Sequence, residues 1–405
     1  MSMEKVTLGE LYTVHNGLSK GRKFFGSGYP FLSFSTVFNN YFIPNELVDL
    51  VQSDEKEQNI YSISRGDVFV TRTSETSDEL GMSCVALKDY PRATYNGFTK
   101  RMRPIATDLV HPEYIGYYMR MPSFRGEFQA FSTMTTRASL RNEDLLSLTI
   151  LLPPMEQQIK IAEVLQTYDK LIENNQKQIK LLEEAAQRLY KEWFVDLRFP
   201  GYEDVAVIDG VPEGWRYKRV EEFGEVITGK TPSTSKTEYY GGNIPFVTIP
   251  DMHGNVFPLV TEKTLTKVGA DTQKNKYLPV NSVIVSCIAT VGLVNIAVEA
   301  CQTNQQINSV ILQNDNELYF FYESMKRIKA LLDGVGSNGA TMTNVNKTKF
   351  SNIKVLYPVE DLIKRYNELC KPIFDKILAL SKSIIKAEQA RDRLLPKLMN
   401  GEFEV

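Results

Sequence analysis

The chain repeats itself at an interval of roughly 205 to 215 residues, several times the period of a solenoid or propeller, so it must fold as two whole domains of one design. The repetition is plainest where each half enters a long helical pattern. Leu140, Leu145, Leu148, Ile150 and Pro153 fall in step with Val345, Phe350, Ile353, Val355 and Pro358. Within the helical stretches Tyr168-Asp169-Lys170-Leu171-Ile172 returns as Phe374-Asp375-Lys376-Ile377-Leu378, and Ala185, Arg188 and Leu189 return as Ala390, Arg393 and Leu394. Upstream the echo is fainter but ordered: Leu11 to Gly17 parallels Phe223 to Gly229, Tyr29 to Leu32 parallels Ile244 to Val247, and Gly81 to Ala86 parallels Gly292 to Ala297. With 405 residues, 42% of them hydrophobic, there is enough apolar surface for more than one core. One scaffold carrying different loops implies two readers of different targets.

The helices are defined by their seams. Steps of four and three from Ile161 give Leu165, Tyr168, Ile172, Asn175, Ile179, Leu182, Ala186, Leu189 and Trp193, a heptad pattern with one polar member. The C-terminal segment supplies Leu362, Tyr366, Leu369, Ile373, Ile377, Leu380, Ile384, Ala387, Arg391, Leu394 and Leu398, and slips phase once beside Pro372. Each helix is roughly 55 Å long at about 1.5 Å per residue. If a pseudo-two-fold axis relates the halves, the helices pair antiparallel and hold a domain at each end of a rod. The plainer reading packs each helix on its own domain, because periodicity reveals a seam and not its partner. Asn175 either sets the register or is a solvated position.

Between the helices, short β-branched runs such as Asp67 to Thr71 and Ser282 to Ser286 are punctuated by Gly, Pro and Asn, which predicts mixed, mainly β domains of modest helical content. The clearest short helices are Pro112 to Met121 and Leu318 to Leu332. Each precedes a loop of small polar residues, Phe131 to Ser139 and Gly334 to Asn346, whose composition suits hydrogen bonding to phosphates and base edges. The expected class is α+β: two mixed, mainly β domains joined by two long antiparallel helices in a pseudo-two-fold arrangement. The expected division is residues 1–152, a central helix at 153–197, a linker and second domain at 198–357, and a C-terminal helix at 358–405.

Several functions are excluded or weakened. Met1 to Leu11 carries charges and no apolar segment, unlike a secretory signal, so a cytoplasmic location is expected. The longest apolar stretch, Val283 to Ala300, is broken by Gly292 and Asn295 and reads as two strands and a turn, with no membrane role. Cys84, Cys287, Cys301 and Cys370 have no paired spacing, and His15, His111 and His253 are isolated, so neither a metal site nor a disulfide framework is indicated. Gly224 to Thr231 fits the phosphate-loop pattern letter for letter, but Pro232-Ser233-Thr234-Ser235 follows where an apolar helix is required. Gly334 to Gly339 matches Gly-x-Gly-x-x-Gly yet follows a helix rather than a strand. Pro250-Asp251 with Glu262-Lys263 is out of register for a nuclease. No Asn-Pro-Pro-aromatic tetrapeptide, the site of amino-methyltransferases, occurs. No catalytic residue is therefore assigned.

Four segments carry a family resemblance: Leu152 to Ile159 (LPPMEQQI), Leu189 to Asp196 (LYKEWFVD), Val211 to Trp215 (VPEGW) and Arg393 to Glu402 (RLLPKLMNGE). Together they make the chain similar, over essentially its whole length, to the specificity subunit of type I restriction-modification systems. One departure is the opening of the second helix, Tyr357-Pro358-Val359-Glu360-Asp361, which lacks the double proline of the first. The resemblance implies a non-catalytic, DNA-binding chain whose two target-recognition domains each take half of a split, asymmetric sequence while the helices fix the gap. It also implies methyltransferase subunits, which bind S-adenosylmethionine and modify adenine, and restriction subunits as partners, with no cofactor in this chain.

Two domains reading one face of a duplex would sit roughly 34 Å apart, one helical turn. The formal net charge of −2 means that any DNA-binding surface must come from local clustering. Candidate phosphate contacts are Lys20, Arg22, Lys23, Lys100, Arg101 and Arg103 in the first domain and Lys230, Lys236, Lys274, Lys276, Lys347 and Lys349 in the second. For base edges the candidates are Arg72 and Arg137, since Arg reads guanine, and Asn304, Gln305 and Asn338, since Asn and Gln read adenine. Each has a bland counterpart as a solvated charge or a turn-forming amide. Two rival classes remain: a coiled-coil adaptor whose end domains bind proteins, which would show no salt-dependent DNA affinity, and an enzyme, either a nuclease or an NTPase at Gly229-Lys230-Thr231.

Overall fold

A computed structural model of the chain describes residues 3–74, 80–130, 138–333 and 344–405. The two helical patterns become two helices of 40 residues each, Met155–Phe194 and Glu360–Met399. From Met155 to Glu360 and from Phe194 to Met399 the interval is the same, 205 residues. The missing double proline does not move the second start. Val359 O accepts from the Leu362 and Ile363 amides as Pro154 O accepts from those of Gln157 and Gln158, which are first-turn bonds that any residue outside the helix can receive.

The chain forms two compact units, Met1–Leu171 with Ala387–Val405, and Ile172–Lys386, so each takes a portion of both long helices. In the first unit Glu4–Thr7 pairs with Thr149–Leu152, which leads into the central helix. An antiparallel sheet runs in the order Tyr12–Asn16, Thr99–Pro104, Val68–Thr71, Ser83–Val85. A mixed sheet runs Leu50–Val51, Phe25–Leu32, Thr94–Tyr95. The second unit repeats this strand for strand: Arg216–Arg219 with Lys354–Tyr357; then Gly224–Thr228, Ile307–Leu312, Val283–Ser286, Val294–Ile296; then Lys263–Leu265, Tyr240–Val247, Gln302–Thr303. Even the bulge recurs, between Phe25 and Tyr29 and between Tyr240 and Ile244. Helices Pro112–Arg120 and Leu318–Lys326 occupy equivalent places and bury most of their residues.

Val68–Thr71 and Val283–Ser286 are buried along their whole length, which is why they read as unbroken apolar runs rather than alternating ones. Val283–Ser286 pairs antiparallel with Val294–Ile296, the two strands and turn expected of that apolar stretch. Among the described residues no helix is long and apolar enough to cross a membrane. Gly224–Thr228 is a sheet strand, not a phosphate-cradling loop. The glycine motif at Gly334 to Gly339 lies outside the described residues.

Within the second unit Asn175 Nδ2 donates to Ser383 Oγ at 3.1 Å and the Tyr366 hydroxyl to Ala186 O at 3.3 Å, so the helices run antiparallel there. Asn175 is 4% exposed and bonded across the pair, not a solvated position. In the first unit Arg391 donates to Asp169 at 2.6 Å, and Ile161 and Leu165 share a core with Leu394, Leu395, Leu398 and Met399. Of the expected seam, Ile161, Leu165, Ile172, Ala186, Ile377, Leu380 and Ala387 are buried, and Tyr168, Ile179, Leu182, Leu189, Ile373, Ile384 and Leu394 partly so. Leu369 is a correction. It is 45% exposed, and the inward face runs Tyr366, Cys370, Phe374, Ile377. Over this stretch the helix also packs on the second domain, so a wide face of period 3.6 replaces the narrow seam of period 3.5.

The recurrent sequence segments have structural jobs. Gln158, 1% exposed, takes the His111 amide at 2.8 Å and donates to Pro153 O and Leu109 O, tying the helix start to the first domain. Tyr190, Trp193 and Phe194 stack with Tyr366, and Phe194 with Trp215 and Phe320, in edge-on or tilted contacts that close the core of the second unit.

Candidate nucleic-acid interface

The same turn is built twice, with matching backbone hydrogen bonds. Strand Tyr12–Asn16 ends at Gly17, whose amide donates to Thr99 O at 3.2 Å; strand Gly224–Thr228 ends at Gly229, whose amide donates to Ile307 O at 3.1 Å. Only glycine fits either place. A Cβ would lie 2.0 Å from Asn96 O in the first domain and 2.2 Å from Asn304 O in the second. The asparagines head matching turns: Asn96 Oδ1 accepts from the Phe98 amide at 2.7 Å and Asn304 Oδ1 from the Gln306 amide at 3.0 Å. The asparagine amides bond Leu32 O and Val247 O, the next residues along bond Tyr95 O and Thr303 O through Leu18 and Lys230, and the turns are closed by Arg72 N–H to Phe98 O and Cys287 N–H to Gln306 O. The frames coincide while the side chains differ: Leu18, Arg72, Gly97 and Phe98 in one domain stand where Lys230, Cys287, Gln305 and Gln306 stand in the other.

In the first domain these residues adjoin an open cleft of about 370 Å³ lined by Phe25, Gly26, Ser33, Ser35, Asp49 and Asn96. Arg22 and Lys23 are exposed nearby, with the Lys23 and Lys20 ammonium groups 5.1 and 5.2 Å from the Phe24 ring. Lys20 is tied to Glu57 at 2.6 Å and Gln52 O at 2.5 Å. Arg72 is half-buried, and its Nε has no hydrogen-bonding partner among the described residues.

The strand cations differ from what their sequence suggests. Lys100 is 5% exposed and bonded to Asn142, and burial followed by the Arg72 charge lowers its pKa. Arg101 is 8% exposed, donates to Ser62 O at 2.6 Å, and is likewise lowered by burial. Arg103 grips the fully buried Asp67 through Nε at 2.8 Å and Nη2 at 2.6 Å, a bond that raises its pKa. Their strand lies inside the sheet, so Arg101 and Arg103 satisfy buried acceptors and hold Ser62, Ser64 and Asp67 in place, in the geometry of structural groups rather than free phosphate ligands. Arg137 lies outside the described residues.

In the second domain Lys230 and Gln305 are exposed and Asn304 half-exposed. Thr231 donates to Gln305 Oε1 at 2.7 Å, Asn304 Nδ2 to Gln306 Oε1 at 3.1 Å, and Gln273 Nε2 to Lys230 O at 2.6 Å. Gln273 is followed by exposed Lys274 and half-buried Lys276, so Lys230, Lys274, Asn304 and Gln305 gather at one place. Lys236 is exposed beside Glu238 at 3.8 Å, and Lys347 and Lys349 are exposed on the short helix Lys347–Ser351. Asn338 lies outside the described residues. Sequence reasoning missed Asn96, Gly97 and Phe98. The signal was the repeat itself: extending the Gly17–Gly229 match through the strand pairing carries Asn304 onto Asn96.

The family model for the type I restriction modification DNA specificity domain matches this chain twice, over residues 2–184 and 212–381. The chain belongs to that family. Each match takes in one copy of the turn, and members of the family are the DNA-recognition subunits of type I systems rather than the catalytic ones. The type I restriction enzyme HindI specificity subunit of Haemophilus influenzae is 30% identical, the match spanning 94% of this chain and 96% of that one. The MjaIX specificity subunit of Methanocaldococcus jannaschii is 25% identical over 98% and 92% of the two chains. The crystal structure of a type I restriction-modification S subunit from M. genitalium shares the fold, with a TM-score of 0.58 at 13% identity, covering 98% of this chain and 96% of that one.

Proposed function

We propose that this specificity subunit reads a bipartite, asymmetric sequence in double-stranded DNA, one half per domain, and directs adenine methylation and restriction by partner subunits. The observation that carries this reading is the duplicated turn: one frame, two sets of side chains, as two readers of different half-sites require. The two long helices fix the gap between half-sites. Methyltransferase subunits bring S-adenosylmethionine, restriction subunits bring cleavage, and the complex works in the cytoplasm. A chain of net charge −2 binds duplex weakly by itself and gains phosphate contacts from its partners. The test is to express the chain with its methyltransferase partner and sequence methylated adenines in the host DNA. A split motif with a constant gap that disappears on deleting this chain is the expected result. A continuous motif, or methylation indifferent to the deletion, overturns the proposal.

A further inference from the structure

Resting on that DNA-reading function, we infer that the turns Asn96–Phe98, with Arg72 alongside, and Asn304–Gln306 are the base-reading elements of the two domains, and that Arg72, Phe98, Gln305 and Gln306 set which half-site each accepts. Three observations converge on them. The turns are braced from within, each by a glycine that admits no Cβ and by a side-chain bond to its asparagine, an arrangement that leaves little to order when DNA arrives. In both, the backbone hydrogen bonds correspond one for one while the side chains change, Phe98 standing where Gln306 does. Finally, their side chains reach solvent: Phe98 is 57% exposed and Gln305 is exposed.

The chemistry of each turn is distinct. Phe98 offers a base pair only an apolar edge, whose complement in the major groove is the thymine methyl group. Beside it stands half-buried Arg72, whose charge is close enough to depress Lys100 and whose guanidinium is the side-chain type that pairs with a guanine edge. In the second domain the equivalents are neutral. Cys287 is buried at the Arg72 position, and Asn308 pairs with Thr228 where Lys100 pairs with Asn142. The amides of Asn304, Gln305 and Gln306 are oriented by bonds to one another and to Thr231, the residue types that read adenine. The first turn is therefore assigned to a half-site with thymine or guanine at the contacted step, the second to one with adenine.

The experiment uses the chain in complex with its methyltransferase partner and three duplexes: the methylated motif, that motif with its first half scrambled, and with its second half scrambled. Phe98→Ala is expected to lower the preference for one half about tenfold, as a single mismatched contact does, leaving the other half and the gap unchanged. Gln306→Ala does the same for the opposite half and gives an independent reading should Phe98→Ala disturb folding. Unchanged discrimination in both variants overturns the assignment. So does an equal loss on all three duplexes, which would mark the turns as scaffold. A wild-type complex that prefers no duplex fails the underlying DNA-reading function instead, a different result.

Discussion

Glu323 sits on the helix Leu318–Lys326, 3% exposed, with no hydrogen-bonding partner for its Oε1 among the described residues. Burial raises its pKa from 4.5 to about 7; Lys326 opposes the rise and Glu183 adds to it. An acid whose folded-state pKa is raised stabilises the fold fully below its unfolded value, near pH 4.5, and loses that contribution as pH climbs to about 7. At about 1.4 kcal/mol per tenfold change in proton affinity, the whole loss is about 3 kcal/mol, complete by pH 8. Glu323→Gln keeps the neutral shape and removes the proton. Both tryptophans, Trp193 and Trp215, lie in the core of the second unit, so their fluorescence follows the unfolding of that unit. In urea titrations at pH 5, 6, 7 and 8, the wild type is expected to weaken steadily relative to Glu323→Gln, the gap widening by about 2 to 3 kcal/mol over the series. A gap that stays constant across those pH values would refute the reasoning, because it would mean that Glu323 is charged throughout.

Two further outcomes are expected. Glu317→Ala strands Lys218, 7% exposed and 2.8 Å from the lost carboxylate, and should destabilise the second unit by about 3 to 5 kcal/mol in the same fluorescence titration, while adding Lys218→Met restores most of it. Arg103→Ala removes both bonds that Arg103 makes to buried Asp67 and should lower the calorimetric melting of the first unit, a cost of about 3 kcal/mol, leaving the DNA affinity of the folded complex unchanged; normal melting with a selective loss of DNA affinity would make Arg103 a phosphate contact after all.

The repeat and the two helices were legible because they are written in apolar spacing, which survives divergence of everything else. The helix starts agree to the residue even where Val359 replaces Pro154, since what the start requires is a carbonyl and not a proline. Leu369 was misplaced because two kinds of packing, helix on helix and helix on domain, meet at Tyr366 and sequence periodicity cannot apportion them. Lys100 to Arg103 looked like a basic cluster for a related reason. On a strand flanked on both sides, alternation no longer sorts residues into inside and outside, and nothing local in the sequence announces that Asp67 and the Ser62 carbonyl will need those charges. The matched turn was hidden because Asn96-Gly97-Phe98 and Asn304-Gln305-Gln306 share one letter, and their equivalence exists only in hydrogen bonds.

The first unit is closed by Ala387–Val405, with Leu395, Leu398 and Met399 in its core and Met3 against Gly401. The 215 residues Ile172–Lys386 are synthesised between its two parts. At about 5–20 residues per second the ribosome takes roughly 10 to 40 s to supply them, during which the opening domain waits with an apolar flank uncovered. The domain made first is therefore finished last. A chain cut short before Leu395 would leave that core without three of its apolar residues, so the first unit depends on a segment made only after the whole of the second.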